Sequence, residues 1–273
     1  MFNLIKMDLR RLTRTKSFWI MIAVVVLMSA MSVYMTDVTR NLQQDYYAES
    51  GGFFVAVEAQ SEWAGKIDFS KLISIDTTGM TLALLCAIFV PLFVNAEQKN
   101  GYIKNIAGQL PNRSALVLSK LVAVAVQVLV IFATYILSMA ILGKIFWGAD
   151  LGLESVGGFA KMVSLHYLLH VSFATVIMAL TIFLRGSGLA MTYGILASST
   201  MTSLVYVLVD TLLHKCGISD KFSVGNYAIE NCIGIVSPDL AGKDLARVLV
   251  VGITFLVAFA AAAMAVMQKR DVK

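Results

Sequence analysis

The chain has 273 residues, of which 58% are hydrophobic and only 14% are charged, and its mean hydropathy is +0.78. A soluble globular chain contains about 25% charged residues, so this composition excludes a soluble domain. The net charge of +5 and the pI near 9.1 fit the basic loops of a membrane protein and do not require nucleic-acid binding.

The first 17 residues predict an amphipathic helix. Its apolar stripe comprises Phe2, Ile5, Leu9 and Leu12, and its basic face comprises Lys6, Arg10 and Arg14. A helix of this kind lies in the plane of the membrane, with its apolar side chains at the acyl boundary and its basic side chains at the lipid phosphates. The alternative interpretation is a basic N-terminus that only orients the protein.

Six runs without Asp, Glu, Lys or Arg follow, and each has the 19 or more residues needed to cross about 30 Å of hydrocarbon as a helix. The predicted spans are 18–36, 77–96, 121–143, 162–184, 186–209 and 248–267. The first run exceeds the roughly 7 to 15 apolar residues of a secretory signal, although cleavage remains an alternative. The sequence therefore predicts an all-α integral membrane protein, with residues 1–273 forming a single transmembrane domain.

The distribution of basic residues predicts the orientation of the spans. Six crossings put both termini on one side, and that side carries thirteen Lys and Arg residues against three acidic ones. Because basic loops stay in the cytoplasm, both termini are predicted to be cytoplasmic. The segments 37–76 and 210–247 are then external, and they carry the net negative charge.

The predicted cytoplasmic connection 97–114 contains a second amphipathic helix. Ile103, Ile106, Ala107 and Leu110 share one helical face, and Pro111 ends the helix because proline disfavours helical geometry in the residue before it. Ser114 is then expected to cap the helix that enters the third span. An apolar face outside the hydrocarbon favours docking to a partner.

These features resemble the permease subunits of type-2 ABC exporters, in which six spans follow an amphipathic N-terminal helix. The matching elements of the cytoplasmic segment are Glu97, Lys99, Gly101, Lys104, Pro111, Arg113 and Lys120. The resemblance implies that the segment is a coupling helix that docks on an ATPase. The implied coupling residues are Glu97, Gly101, Tyr102, Ile103, Lys104, Ile106, Leu110 and Arg113.

The resemblance also implies the partners and the location. The chain has no Gly-x-x-x-x-Gly-Lys-Ser/Thr phosphate loop, so a separate P-loop ABC ATPase is expected to bind ATP and Mg²⁺. This chain itself is expected to bind no cofactor or metal and to be a transport subunit without enzymatic activity. A second permease subunit, identical or related, is expected beside it in the bacterial plasma membrane.

Three polar residues inside predicted spans are candidates for a substrate pathway. His166 and His170 share one helical face at four-residue spacing, and Gln127 lies in the third span. No carboxylate accompanies the histidines within a predicted span, and His166 lies near the external end, where hydration is expected. The alternatives for the pair are polar packing or interface anchoring, substrate contact, and a metal or proton site. Those for Gln127 are interhelical packing and pathway lining.

Cys216 and Cys232 share the second external segment and form either a disulfide or two free thiols.

The expected cargo is an amphipathic peptide, a lipid or a hydrophobic compound, with an antimicrobial, bacteriocin-like peptide ranked first. Apolar walls and acidic, aromatic external segments suit such molecules better than small hydrophilic metabolites. Two other functional classes remain open at this point: an ion-coupled secondary transporter, and a non-transporting scaffold or immunity protein. Buried ionisable residues would favour the former, and activity without ATP the latter.

Overall fold

In a computed structural model of the chain, residues 2–50, 66–99, 113–199, 201–216 and 223–269 are described. About 87% of this structure is helical. The helices are α1 (Phe2–Arg14), α2 (Lys16–Ser50), α3 (Phe69–Thr78), α4 (Thr81–Lys99), α5 (Ser114–Trp147), α6 (Val156–Leu184), α7 (Gly188–Ser198), α8 (Thr202–Lys215), α9 (Ile229–Gly234) and α10 (Gly242–Lys269). Two-residue strands β1 (Ile67–Asp68) and β2 (Leu151–Gly152) pair in parallel.

Four straight helical segments are long and apolar enough to cross a membrane: Lys16–Asn41, Ser114–Asp150, Val156–Leu184 and Gly242–Lys269. Two bent helix pairs, α3 with α4 and α7 with α8, raise the number to six if each pair counts as one span. The chain is therefore an all-α membrane protein with four to six candidate spans.

Both bent pairs differ from the straight helices expected from sequence. The predicted span 77–96 is preceded by α3, which meets α4 at an angle of 52°. At this junction Met80 has a φ of 63°, a left-handed conformation that a residue with a Cβ adopts at a cost of about 1–2 kcal/mol. The predicted span 186–209 is interrupted after Ser198, and α8 continues at 76° to α7. An uncharged run does not reveal such a break, because hydropathy does not report backbone direction.

Helix α6 lies at the centre of the bundle. The most apolar 18-residue stretch of α6 is 72% buried, against 28% for the corresponding stretches of α2 and α10. Close backbone approach explains part of this packing: a Cβ placed on Gly252 of α10 would lie 3.1 Å from Leu168 Cγ of α6. The Ser172 hydroxyl of α6 also donates a 2.7 Å hydrogen bond to the Gly252 carbonyl. The small residue Gly252 therefore permits close packing of α10 against α6.

The bundle has two ends, which we name by the chain segments they contain. The N-terminal end holds α1, the end of α4, the start of α5, the α6–α7 turn and the end of α10. Its hydrogen bonds join Ser119 to Asp8, Arg11 to the Phe93 carbonyl, Asn95 to Ser187, and Gln268 to Ser114. Helices that are sequentially distant are therefore tied together at this end.

The opposite end holds the strand pair and the connections between α5 and α6 and before α10. Its hydrogen bonds join Trp147 to Asp37, Arg40 to Asp150, and Lys161 to the Leu240 carbonyl. Helices α2, α5, α6 and α10 each run between the two ends.

Ser114 does not cap the following helix as expected. It is the first residue of α5, and no side-chain hydrogen bond caps this helix at Arg113. The Ser114 hydroxyl instead accepts a 2.6 Å hydrogen bond from Gln268 Nε2. The Ser114 side chain, which the sequence predicts to cap α5, therefore contacts the end of α10 instead.

Candidate functional site

A cavity of about 290 Å³ lies between α2 and α3 near the opposite end of the bundle. Its lining residues are Ser32, Met35, Thr36, Thr39, Arg40, Ile75 and Asp76. Those from α2 recur at three- and four-residue spacing, so they form one face of that helix. Ile75 and Asp76 lie in the last turn of α3. We call this space the α2–α3 cavity.

Asp76 is the only carboxylate among these lining residues, and two hydroxyl groups hold it. Tyr135 of α5 donates a 2.6 Å hydrogen bond to Asp76 Oδ2, and the Ser32 hydroxyl donates to the same oxygen. The three side chains join α2, α3 and α5 at one point, so the carboxylate is fixed in position.

The other charged lining residue, Arg40, is engaged toward the end of the bundle. Its guanidinium lies 2.9 Å from Asp150 Oδ2. Near this pair, the indole of Trp147 donates a 2.9 Å hydrogen bond to Asp37 Oδ1. The cavity thus contains the Asp76 carboxylate, which two hydroxyl groups hold, and the Arg40 guanidinium, which is paired with Asp150.

A buried histidine pair adjoins this cavity through the residue next to Asp76. Thr77 Oγ1 lies 3.0 Å from His166 Nε2 and 2.8 Å from the Ile73 carbonyl. The Thr77 hydroxyl can donate to the Ile73 carbonyl, and the direction of its hydrogen bond with His166 follows the tautomer of the imidazole. His170 Nδ1 lies 2.8 Å from the His166 carbonyl and therefore donates to it.

The expectation that His166 is hydrated is wrong. Both His166 and His170 are fully buried. The His170 ring packs edge-on against Phe132, with centroids 4.9 Å apart. Helix α6 begins at Val156, so His166 lies nearly three turns inside the helix rather than at its end. The expectation that no carboxylate within a span accompanies the pair is also wrong. Helix α3 extends the second candidate span back to Phe69, so this span includes Asp76, the neighbour of Thr77.

No group of three or more His, Cys, Asp or Glu side chains within the described part of the chain has the geometry to hold a metal ion. Each histidine makes one hydrogen bond within the bundle, and the other ring nitrogen, His166 Nδ1 or His170 Nε2, is buried without a hydrogen-bond partner among the described residues.

Gln127 is buried, but it is not part of the α2–α3 cavity. Its Nε2 lies 3.5 Å from the Met21 sulfur and so contacts α2. Gln127 precedes Tyr135 by eight residues on α5, which places it about 12 Å closer to the N-terminal end. Gln127 is therefore separate from the residues around Asp76.

Most of the predicted coupling residues lie outside the described residues: Gly101, Tyr102, Ile103, Lys104, Ile106 and Leu110. Glu97 belongs to α4, and its side chain also lies outside the described part. Arg113 is half-buried immediately before α5. Both boundaries of the segment, the end of α4 and the start of α5, lie at the N-terminal end beside α1.

The carboxylate of Glu230 in α9 is also buried and was not anticipated from sequence. Thr202 and Tyr206 in the first turns of α8 donate hydrogen bonds of 2.8 and 2.6 Å to its Oε1. Glu230 therefore holds α8 in its bent position relative to the rest of the bundle.

Asp76, Tyr135 and Ser32 were likewise missed as site residues. Asp76 was assigned to an external segment because it directly precedes an uncharged run, and Tyr135 and Ser32 lie within uncharged runs that hydropathy treats as uniform. The position of Asp76, directly before a predicted span, was a usable signal. A charged side chain so close to the hydrocarbon costs free energy unless it is paired. Its partners, however, lie 44 and 59 residues away in the chain.

The two cysteines of the second predicted external segment are free thiols, of which Cys216 is exposed and Cys232 is buried. Burial raises the pKa of Cys232 to about 11. The structure thus favours two free thiols over a disulfide between Cys216 and Cys232.

No model of a known protein family matches this chain. A search of curated proteins also finds no match.

Proposed function

We propose that this chain is the membrane-spanning subunit of an ATP-driven exporter that uses a separate P-loop ATPase. The observation that carries the proposal is the position of the two helix ends that flank residues 100–112. Helix α4 ends and α5 begins beside the basic helix α1, where Arg11 contacts the Phe93 carbonyl of α4. The apolar and basic sequence between these two helix ends supports docking of a partner in the cytoplasm.

The proposal has six spans, with each bent pair counted as one crossing, and an α1 that lies in the membrane plane. Both termini are then cytoplasmic, and the membrane is the bacterial plasma membrane. The charge distribution supports this orientation, because the basic residues concentrate in the segments assigned to the N-terminal end. Two permease subunits, identical or related, enclose the transport pathway.

ATP and Mg²⁺ are bound by the ATPase, and this chain transmits the resulting motion. The segment around Gly101 to Leu110 lies between the second and third spans, so its displacement moves both of them. Ile103 and Ile106 fill an apolar groove of the ATPase, and Glu97, Lys104 and Arg113 orient the contact by charge. The cargo is an amphipathic peptide, a lipid or a hydrophobic compound, with an antimicrobial peptide as the first candidate.

The decisive experiment replaces Ile103 and Ile106 together with aspartate. The new charges would have to be desolvated in the docking groove, so we expect normal membrane insertion but loss of ATPase co-purification and of substrate-stimulated ATP hydrolysis. The matched control replaces both residues with leucine, which keeps an apolar side chain of the same volume. If the aspartate variant inserts normally and retains all coupling signals, the proposed coupling helix is wrong.

One observation favours a second candidate, an ion-coupled secondary transporter. Asp76 and Glu230 provide ionisable groups among the packed helices, a feature expected of such transporters. Transport in proteoliposomes separates the two functions. ATP-driven export requires the ATPase and resists collapse of the ion gradients, whereas ion-coupled transport proceeds without ATP and stops when the gradients are collapsed.

A further inference from the structure

The α2–α3 cavity combines a fixed carboxylate with an opening lined by apolar side chains. Met35 and Ile75, which line it beside Asp76, are 49% and 55% exposed. A volume of about 290 Å³ equals that of roughly ten water molecules at about 30 Å³ each. This space is far larger than a metal ion requires, and it fits a small organic group with an aliphatic stem.

The charge of the cavity is negative near Asp76. Both hydrogen bonds to this carboxylate end on Oδ2, and no Lys, Arg or His of the described residues forms a salt bridge with it. The other lining charge, Arg40, is paired with Asp150. Asp76 also lies in the last turn of α3, where the helix dipole adds partial negative charge.

The acceptor groups of the cavity match a protonated primary amine. An alkylammonium has three N–H donors. The lining residues Asp76, Ser32 and Thr36 carry carboxylate and hydroxyl oxygens that can accept them. Ca²⁺ would need six to eight oxygen ligands in a close shell. An aliphatic stem would pack along Met35 and Ile75, as the methylene groups of lysine do on apolar surfaces.

We propose that the α2–α3 cavity is a binding site for a primary ammonium group carried on an aliphatic chain, with Asp76 as its anion. The site does not depend on ATP-driven export, and it is tested on the purified chain without an ATPase. Failure of this test leaves the export proposal intact, and failure of the coupling experiment leaves this site intact.

The test measures binding of n-hexylammonium to the detergent-purified full chain by isothermal titration calorimetry at pH 7. Hexyltrimethylammonium, which has the same charge but no N–H donor, should bind more weakly. Asp76→Asn should weaken n-hexylammonium binding about 10- to 100-fold, as expected for loss of a charge-assisted hydrogen bond. Asp244→Asn is the matched control, because Asp244 pairs with Arg247 outside the cavity, and it should bind like the wild type.

A second variant keeps the test decisive if Asp76→Asn does not fold. Met35→Trp fills the cavity from its exposed side and leaves the hydrogen bonds of Asp76 in place, so it should also abolish binding. Equal affinity of n-hexylammonium for the wild type and the folded Asp76→Asn variant overturns the proposal. So does unchanged binding by Met35→Trp, or equal binding of the trimethyl analogue by the wild type.

Reconstitution identifies the source of the amine. Binding is compared in phosphatidylcholine vesicles with and without phosphatidylethanolamine. Weaker n-hexylammonium binding in the presence of phosphatidylethanolamine supports the site and identifies the ethanolamine headgroup as its occupant. Equal binding in both vesicles supports the site with a non-lipid amine as its ligand.

Discussion

The Ser119 hydroxyl of α5 donates a 2.6 Å hydrogen bond to Asp8 Oδ2 of α1, and both side chains are almost completely buried. An acidic residue in a basic helix is thus the point at which α1 is attached to the bundle. Arg11, one turn later, lies 3.7 Å from the same carboxylate and extends to the Phe93 carbonyl of α4.

Removing the Asp8 carboxylate should loosen α1. Asp8→Ala leaves the buried Ser119 hydroxyl without this acceptor, and we expect a loss of about 1–3 kcal/mol in the docking of α1. Hydrogen exchange of residues 2–14 should accelerate accordingly. Asp8→Asn, which keeps an acceptor oxygen, should exchange more slowly than the alanine variant. Equal exchange in the wild type and both variants would show that this contact does not hold α1.

The Thr77–His166 contact should stabilise the fold more than the hydrogen bonds that Thr77 makes within its own helix. Thr77→Val removes the hydroxyl partner of His166 Nε2, and we expect a cost of about 1–3 kcal/mol in the free energy of unfolding. Thr78→Val is the control, because the Thr78 hydroxyl bonds only backbone carbonyls of its own helix. The thermal unfolding temperature in detergent should therefore be clearly lower for Thr77→Val than for Thr78→Val. Equal loss in both variants would assign the effect to the helix alone.

The contact between α7 and α4 should not tolerate a methyl group. A Cβ on Gly194 would lie 2.6 Å from Ala87 Cβ and 3.2 Å from Ala87 Cα. Gly194→Ala should therefore cost about 1–3 kcal/mol through overpacking. In the same helix, a Cβ on Gly188 meets nothing within 4 Å, so Gly188→Ala should be neutral or stabilising. A Gly194→Ala variant as stable as the wild type would mean that the two helices separate at little cost.

The cysteines should differ in reactivity and should report the topology. The thiolate is the reactive form, and the pKa of Cys232 is raised to about 11 by burial. At pH 7 only about one in ten thousand Cys232 thiols is ionised, and this fraction rises about tenfold for each pH unit up to the pKa. A maleimide should thus label exposed Cys216 first. Cys216→Ser should abolish rapid labelling at pH 7, and rapid labelling of this variant would contradict the assignment.

The same reagent in a membrane-impermeant form tests the proposed orientation. Cys216 should react in intact cells, whereas a cysteine at Gln268, introduced into a Cys216→Ser background, should react only after the membrane is opened. The reverse pattern would reject cytoplasmic termini.

The uncharged runs of the chain were sufficient to predict an all-α membrane protein. A long, continuously apolar run satisfies its backbone groups in lipid as a helix, and this physical requirement is local. The predicted end of the fourth span at Leu184 is also the end of α6, after which Arg185 adopts a left-handed conformation with a φ of 53°. The sequence did not predict the α3–α4 and α7–α8 bends, because these depend on which surfaces the helices pack against.

Tertiary structure alone decided which polar residues meet. Asp76, Ser32 and Tyr135 belong to three helices, and no spacing in the chain relates them. His166 and His170 were found from their four-residue spacing, but their burial follows from the central position of α6 in the bundle. Periodicity is a property of one helix, whereas a cavity such as that at Asp76 exists only where the faces of several helices are brought together.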